Sequence, residues 1–205
     1  MTLEVWALPE SVASSGTTAY SIRFAFLMQV QLFLGIAIDT SYQLACLEEG
    51  GGSNPPKRVF TNTVSRYRWS HLACAVSGTA VQGFIDGEGT TASTVNANSN
   101  YGRRIGFGTD GSDGAIYGGY LQEARVWRRR LTAGEIKQRM RQSLRAQQHS
   151  TLIAYFPLTE GHGDALFDNS AHSMVLKNSN FAVAPNQWTN VAWSDIAQVK
   201  LCGNS

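Results

Sequence analysis

The chain is short of the residues that interrupt or staple a fold. Five prolines and three cysteines are spread over 205 residues, which excludes a proline-rich linker and a disulfide-dense scaffold. Cys46, Cys74 and Cys202 lack metal-ligand spacing and cannot all pair within one chain. Buried free thiols are expected, with one bridge as the alternative. His71, His149, His162 and His172 do not cluster at metal spacing either. Gly106-Phe107-Gly108 follows a strand pattern without opening a helix, so no dinucleotide fingerprint is present. The opening Met1–Trp6 has neither a basic segment nor an apolar signal core, and no Asn-x-Ser/Thr sequon occurs. Secretion then requires a leader outside this sequence, or a non-classical route.

A membrane-length apolar run is also lacking. The longest, Phe24 to Ile38, is about fifteen residues and is interrupted by Gln29, Gln31 and Gly35, short of the roughly 20 a spanning helix needs. Apolar residues occupy every even position from Ile22 to Ile38. That period of two predicts two core strands with a turn between them.

What is present describes an all-β protein. A hydrophobic content of 43% supplies a core, and Gly 20 supplies turns. The length suits one β domain over residues 1–205, two small domains being the alternative. Further strands are predicted at Leu3–Leu8, stopping at Pro9, and near Tyr42–Leu47, Arg58–Asn62, Arg68–Val76 and Val81–Ile85. Others follow at Arg104–Gly108, Tyr120–Trp127 and Thr151–Leu158. Glu48–Pro56 and Thr90–Asn100 read as loops. One short α-helix is expected near 132–147. Thr132 and Glu135 form its capping box, and Ile136, Met140 and Leu144 form its apolar stripe. Strands about ten residues apart suggest a sandwich.

Several segments together resemble the laminin-G-like, concanavalin-A-like jelly-roll family, which includes pentraxin-related modules. They are Leu3–Pro9, Trp69–Ala73, Gly83–Gly87, Ile105–Gly108, Gly118–Ile136 and Leu152–Ser170. The resemblance implies a two-sheet antiparallel sandwich, with Trp6, Trp69 and Trp127 as core or sheet-covering residues. The Tyr155-Phe156-Pro157-Leu158 to Asp168-Asn169-Ser170 segment often opens such a module. Here it lies near the C-terminus, as in a permuted chain or one cut from a larger protein.

Many relatives bind calcium, some of them gripping glycans through it. Asp110 and Asp113, in a Gly-bounded loop with Ser112, are the candidate metal ligands, and Ca2+ the candidate cofactor. The same residues also suit ordinary turn chemistry. The family's acidic pair is half present, with Gln122 in place of the Asp and Glu123 retained. A glycosidase needs two carboxylates facing one cleft, and no strand carries alternating acids. The expectation is therefore no enzyme.

Charge is unevenly distributed. Residues 103–145 carry ten Lys/Arg against four acids, a local +6, while the rest of the chain is −4. Arg125, Arg128, Arg129, Arg130, Arg139, Arg141 and Arg145 form a candidate band for a sulfated polyanion or a partner subunit. Aromatics other than Trp127 are not interleaved with it, which argues against nucleic acid. The chain reads as a recognition or adhesion module binding a glycan or a partner protein, and the resemblance implies an extracellular or cell-surface location. The alternative is a structural subunit that assembles into homo-oligomers.

Overall fold

Alternation along the first strand defines two faces. In β1 (Thr2–Ser14), Leu3, Val5 and Ala7 join the buried core cluster. Thr2, Glu4 and Trp6 face the other way and are also buried, so this sheet is covered on both sides. The computed structural model describes residues 1–14, 34–39, 41–48, 57–94, 115–144, 149–160, 165–177, 188–189 and 198–201.

After β1 come β2 (Leu34–Ile38), β3 (Gln43–Glu48) and β4 (Lys57–Thr63). Then follow β5 (Ser70–Ser77), β6 (Ala80–Ile85), the short β7 (Glu88–Gly89) and β8 (Ser93–Thr94), and the long β9 (Ala115–Trp127). Helix α1 (Ala133–Arg139) precedes β10 (Leu152–Phe156), β11 (Ala165–Phe167) and β12 (Val175–Lys177). The last strands are β13 (Trp188–Thr189) and β14 (Gln198–Leu201).

The large sheet runs β13-β14-β9-β1-β5-β6-β7, with β10 added beside β9 and β8 beside β6. A smaller sheet, β2-β3-β4, lies against it. Every described pairing is antiparallel. Ile36, Ile38 and Leu44 of the small sheet pack with Leu72, Val81, Leu121 and Val126 of the large one. This is the expected antiparallel two-sheet sandwich.

Cys46 on β3 and Cys74 on β5 are disulfide-bonded, with Cα atoms 5.7 Å apart. The bridge replaces the free thiols expected from the sequence. It forms because inward-facing positions of the two sheets meet there, which strand alternation alone does not reveal. Closing a loop of sequence separation 28 contributes ~3.5 kcal/mol on the chain-entropy model, about as much as one or two buried leucines. It supplements the core without replacing it.

The predicted Tyr120–Trp127 strand begins at Ala115, the predicted loop Thr90–Asn100 contains β8, and two further boundaries differ from the sequence reading. β1 continues through Pro9, where the register with β9 shifts. Pro9 pairs with Gly119, whose φ of +147° and missing side chain let the Leu8 carbonyl approach. A proline is tolerated in a strand at such an irregularity. The helix is shorter than 132–147: it has the expected capping box but ends at Arg139, with Met140 as C-cap. Leu144 is buried beneath a turn and not along a helical stripe. Residues 22–33 and 104–114, where the sequence predicts strands and a loop, lie outside the described residues.

Candidate functional site

The outer face of the large sheet has two zones. The first lies under α1 and residues 140–144. Ala73, Ala75, Phe84, Trp127, Leu131, Ile136, Leu144, Leu152 and Tyr155 form a second apolar cluster there. Set among them is a buried polar network. A bulge in β9 places Glu123 in the left-handed region, φ 56°, and turns its carboxylate toward Arg125 and Tyr155. Arg125 Nη2 donates to Glu123 Oε2 at 2.5 Å, and the Tyr155 hydroxyl lies 2.9 Å from both Glu123 oxygens.

Arg125 also accounts for the early end of the helix. Its Nη1 donates to the Arg139 carbonyl at 2.8 Å and its Nη2 to the Gln142 carbonyl at 2.5 Å. The Trp6 indole N–H donates to the Met140 carbonyl at 2.6 Å. Carbonyls that a further helical turn would occupy are held by side chains from the sheet.

Glu4 is wholly buried and accepts a hydrogen bond from the Trp127 indole N–H. Its other oxygen lies 3.4 Å from His71 Nε2. Burial raises the Glu4 pKa, and Arg125 and the Trp127 hydrogen bond oppose that shift. Burial, aided by Arg125, lowers His71 to about 3. The imidazole is therefore neutral at neutral pH, and its contact with Glu4 is not an ion pair. Glu4 and Glu123 are thus committed to internal partners beneath the helix.

The second zone lies at the other end of β1. Leu8 pairs with Tyr120 of β9, and Ala7 pairs with Ser70 of β5. This register brings Trp69, just before β5, and Tyr120 to either side of β1. Their ring centroids are 6.5 Å apart at an interplanar angle of 53°, and Trp69, Leu8 and Tyr120 are all half-buried. The adjoining turn is tied to the same strand: Tyr67 N donates to the Pro9 carbonyl at 2.8 Å, and Arg66 Nε to the Glu10 carbonyl at 2.6 Å. Tyr67 is 63% exposed. The result is an aromatic ledge on the outer face, next to a turn that is tied to the continuation of the same strand.

The arginines singled out in the sequence do not form one surface. Arg125 is 1% exposed and both of its terminal nitrogens are bonded internally, so it leaves the band. Arg129 pairs with Glu135 at 2.5 Å, and Arg139 lies 3.8 Å from the same carboxylate and over the Trp127 ring. Arg129 first, then the Thr132 backbone, hold the Glu135 carboxyl down at about 2. Arg130 donates to Gln82 at 3.1 Å. Arg128 and Arg141 are exposed. Arg145, Asp110 and Asp113 lie outside the described residues. Among the described residues no group of three or more His, Cys, Asp or Glu could hold a metal, and no helix is long and apolar enough to cross a membrane.

Sequence reading passes over Arg66, Tyr67 and Tyr120 and takes Trp69 for a covering residue. The available signal is the aromatic and basic density of Arg66-Tyr67-Arg68-Trp69 just ahead of a strand. What it lacks is the register that adds Tyr120.

Among solved structures, the chain is similar to a candidate carbohydrate-binding protein from Bacteroides ovatus, at 19% identity and a TM-score of 0.54. The match covers 85% of this chain and 50% of that one. It is similar also to domain 4 of AbnA, an extracellular arabinanase of Geobacillus stearothermophilus solved with arabinotriose. There the identity is 17% and the TM-score 0.50, over 67% of this chain and 64% of that one. The chain thus spans half the length of the first and just under two thirds of the second. No curated protein matches the chain in sequence. A family model matches residues 1–137, two thirds of the chain and all of β1 to β9, and the chain accordingly belongs to the concanavalin A-like lectin/glucanases superfamily.

Proposed function

We propose that this chain is a non-enzymatic carbohydrate-recognition module whose sugar-stacking surface is the Trp69–Tyr120 ledge. The observation that carries the reading is the pair of half-buried rings, 6.5 Å apart and straddling β1 at Leu8. A pyranose or furanose has an apolar C–H face and a polar rim. Rigid aromatic side chains with polar tips bury the first and hydrogen-bond the second at small entropic cost. Similar folds in a candidate carbohydrate-binding protein and in an arabinanase domain solved with an oligosaccharide support the assignment.

The burial of Glu4 and Glu123 supports a binding role over hydrolysis. A glycosidase presents two carboxylates to one bond, and these two are covered by α1 and residues 140–144. The Cys46–Cys74 bridge suits an oxidising, extracellular setting. Calcium assistance through Asp110 and Asp113 belongs to the same proposal, and a chelator arm tests it separately.

The decisive experiment is a glycan array followed by calorimetric titration of the best ligand. Trp69→Ala and Tyr120→Ala should each weaken binding at least tenfold, equivalent to about 1.4 kcal/mol, with unchanged far-UV spectra. Unaltered affinity in both variants would move the site elsewhere. Release of a shortened sugar on prolonged incubation would overturn the non-enzymatic assignment.

A further inference from the structure

We infer that Arg66 builds a subsite for an acidic sugar, one bearing a carboxylate or a sulfate, at the margin of the aromatic ledge. The inference rests on the ledge reading above and names the ligand class that the ledge selects.

Surface arginines usually wave in solvent, and this one is held on three sides. Its Nε donates to the Glu10 carbonyl at 2.6 Å. Its guanidinium carbon lies 4.5 Å from the centroid of the Tyr67 ring and 5.9 Å from that of Tyr42. Cation–π contact with two rings fixes the plane of the group, and the Nε hydrogen bond fixes its rotation within that plane. The two terminal nitrogens, with four N–H donors, meet no acceptor among the described residues. An exposed, oriented fork with open terminal donors is the geometry that grips a planar carboxylate or a sulfate bidentately.

The backbone fixes the two rings that hold the guanidinium. Tyr42 and Tyr67 both adopt left-handed conformations, each with φ 57°, which bulky side chains rarely do. Each is pinned by the main chain: Tyr67 N donates to the Pro9 carbonyl at 2.8 Å, and Tyr42 N to that of Asp39 at 2.9 Å. Here both strained residues place their rings against one guanidinium. The anchoring carbonyls belong to Pro9 and Glu10, next to Leu8 at the centre of the ledge. An oligosaccharide stacked on the ledge and running along β1 from Leu8 toward Glu10 would bring its next unit to Arg66.

The test is calorimetric titration of the intact chain with three oligosaccharides of equal length: neutral galacto-oligosaccharide, oligogalacturonate and O-sulfated galacto-oligosaccharide. The wild type should bind at least one acidic ligand tenfold or more tightly than the neutral one at low salt, and which of the two identifies the anion. Arg66→Gln should abolish that preference while leaving neutral binding within twofold, and Arg66→Lys should restore only part of it. Trp69→Ala should weaken all three. An acidic-to-neutral ratio that survives in Arg66→Gln, or a wild type that binds neutral and acidic ligands equally, overturns the subsite and leaves the ledge standing. Failure to bind any of the three, with none bound on the array, overturns the ledge and the subsite with it.

Discussion

Arg125 and Arg139 meet through the main chain and not through their charges: Arg125 Nη1 donates to the Arg139 carbonyl at 2.8 Å. One buried guanidinium thereby closes the end of α1 and neutralises the bulge glutamate, Glu123. Removing it leaves a buried carboxylate without its cation, strips the Gln142 carbonyl of its guanidinium donor and leaves the Arg139 carbonyl with the Gln142 N–H alone. Arg125→Ala should cost ~3–5 kcal/mol, read as a lower urea midpoint with α1 detached in hydrogen exchange. Arg125→Lys should recover little, because a point ammonium cannot reach Glu123 and both carbonyls at once. The exposed Arg141→Ala is the control, with an expected change within about 0.5 kcal/mol. A comparably small change in Arg125→Ala would show that the guanidinium does not hold the helix.

Glu4 and His71 make stability depend on pH in opposite directions. His71 is held at about 3 by burial, against an ordinary value near 6.5. Above pH 6.5 it is neutral in both states and contributes no pH dependence. As pH falls below 6.5 the unfolded chain takes a proton that the folded chain refuses, and stability declines. The raised Glu4 pKa works the other way, since the folded carboxyl accepts its proton before the unfolded one does. Between pH 6.5 and 4.5, His71→Gln should therefore flatten the loss of stability with acid, and Glu4→Gln should steepen it. Urea midpoints at pH 7.5, 6.0 and 5.0 measure both slopes. Curves that run parallel to the wild type would remove the pair from the account.

The large-scale fold was legible because it rests on period. The last residues of the even-position apolar run form β2 (Leu34–Ile38), and Thr132 with Glu135 marks a helix start within four residues. The end of that helix was not legible. Ile136, Met140 and Leu144 keep a helical spacing, but the carbonyls of Arg139, Met140 and Gln142 are taken by Arg125 and Trp6 from a distant sheet. Arg125 reads as a surface cation for the same reason. A residue's charge is written in the sequence, whereas the segment after α1 that covers it is a tertiary feature. The ledge was hidden likewise: Trp69 and Tyr120 are far apart in the chain and become neighbours only through the β1 register.

The disulfide gives a prediction that needs no ligand. Cys46 and Cys74 join the small sheet to the large one, so the bridge restrains the unfolded chain across a junction of the sandwich. Cys46→Ser, or reduction of the native protein, should lower stability by ~3.5 kcal/mol on the loop-entropy model. Peptide mapping without reductant should recover Cys46 and Cys74 in one linked species. A map in which either is joined to Cys202 would contradict the arrangement.

Gly119 connects the backbone to the proposed binding surface. Its φ is +147°, and an added Cβ would fall 2.1 Å from the Leu8 carbonyl oxygen, so even alanine forces β1 and β9 apart where Pro9 interrupts the register. Backbone strain of this kind costs ~1–3 kcal/mol, and the clash adds to it, so Gly119→Ala should lose at least about 2 kcal/mol. The displaced residues would be Leu8 and Tyr120, the centre and one side of the ledge. Sugar affinity should consequently fall severalfold under conditions where the variant remains folded, although no ledge side chain has been altered. Gly134→Ala is the counterpart: its Cβ would meet nothing within 4 Å. In helix α1 that change should stabilise by up to about 1 kcal/mol and leave binding as it was. Equal affinity in the wild type and both variants, measured by titration at matched folded fraction, would disconnect the β1–β9 irregularity from recognition.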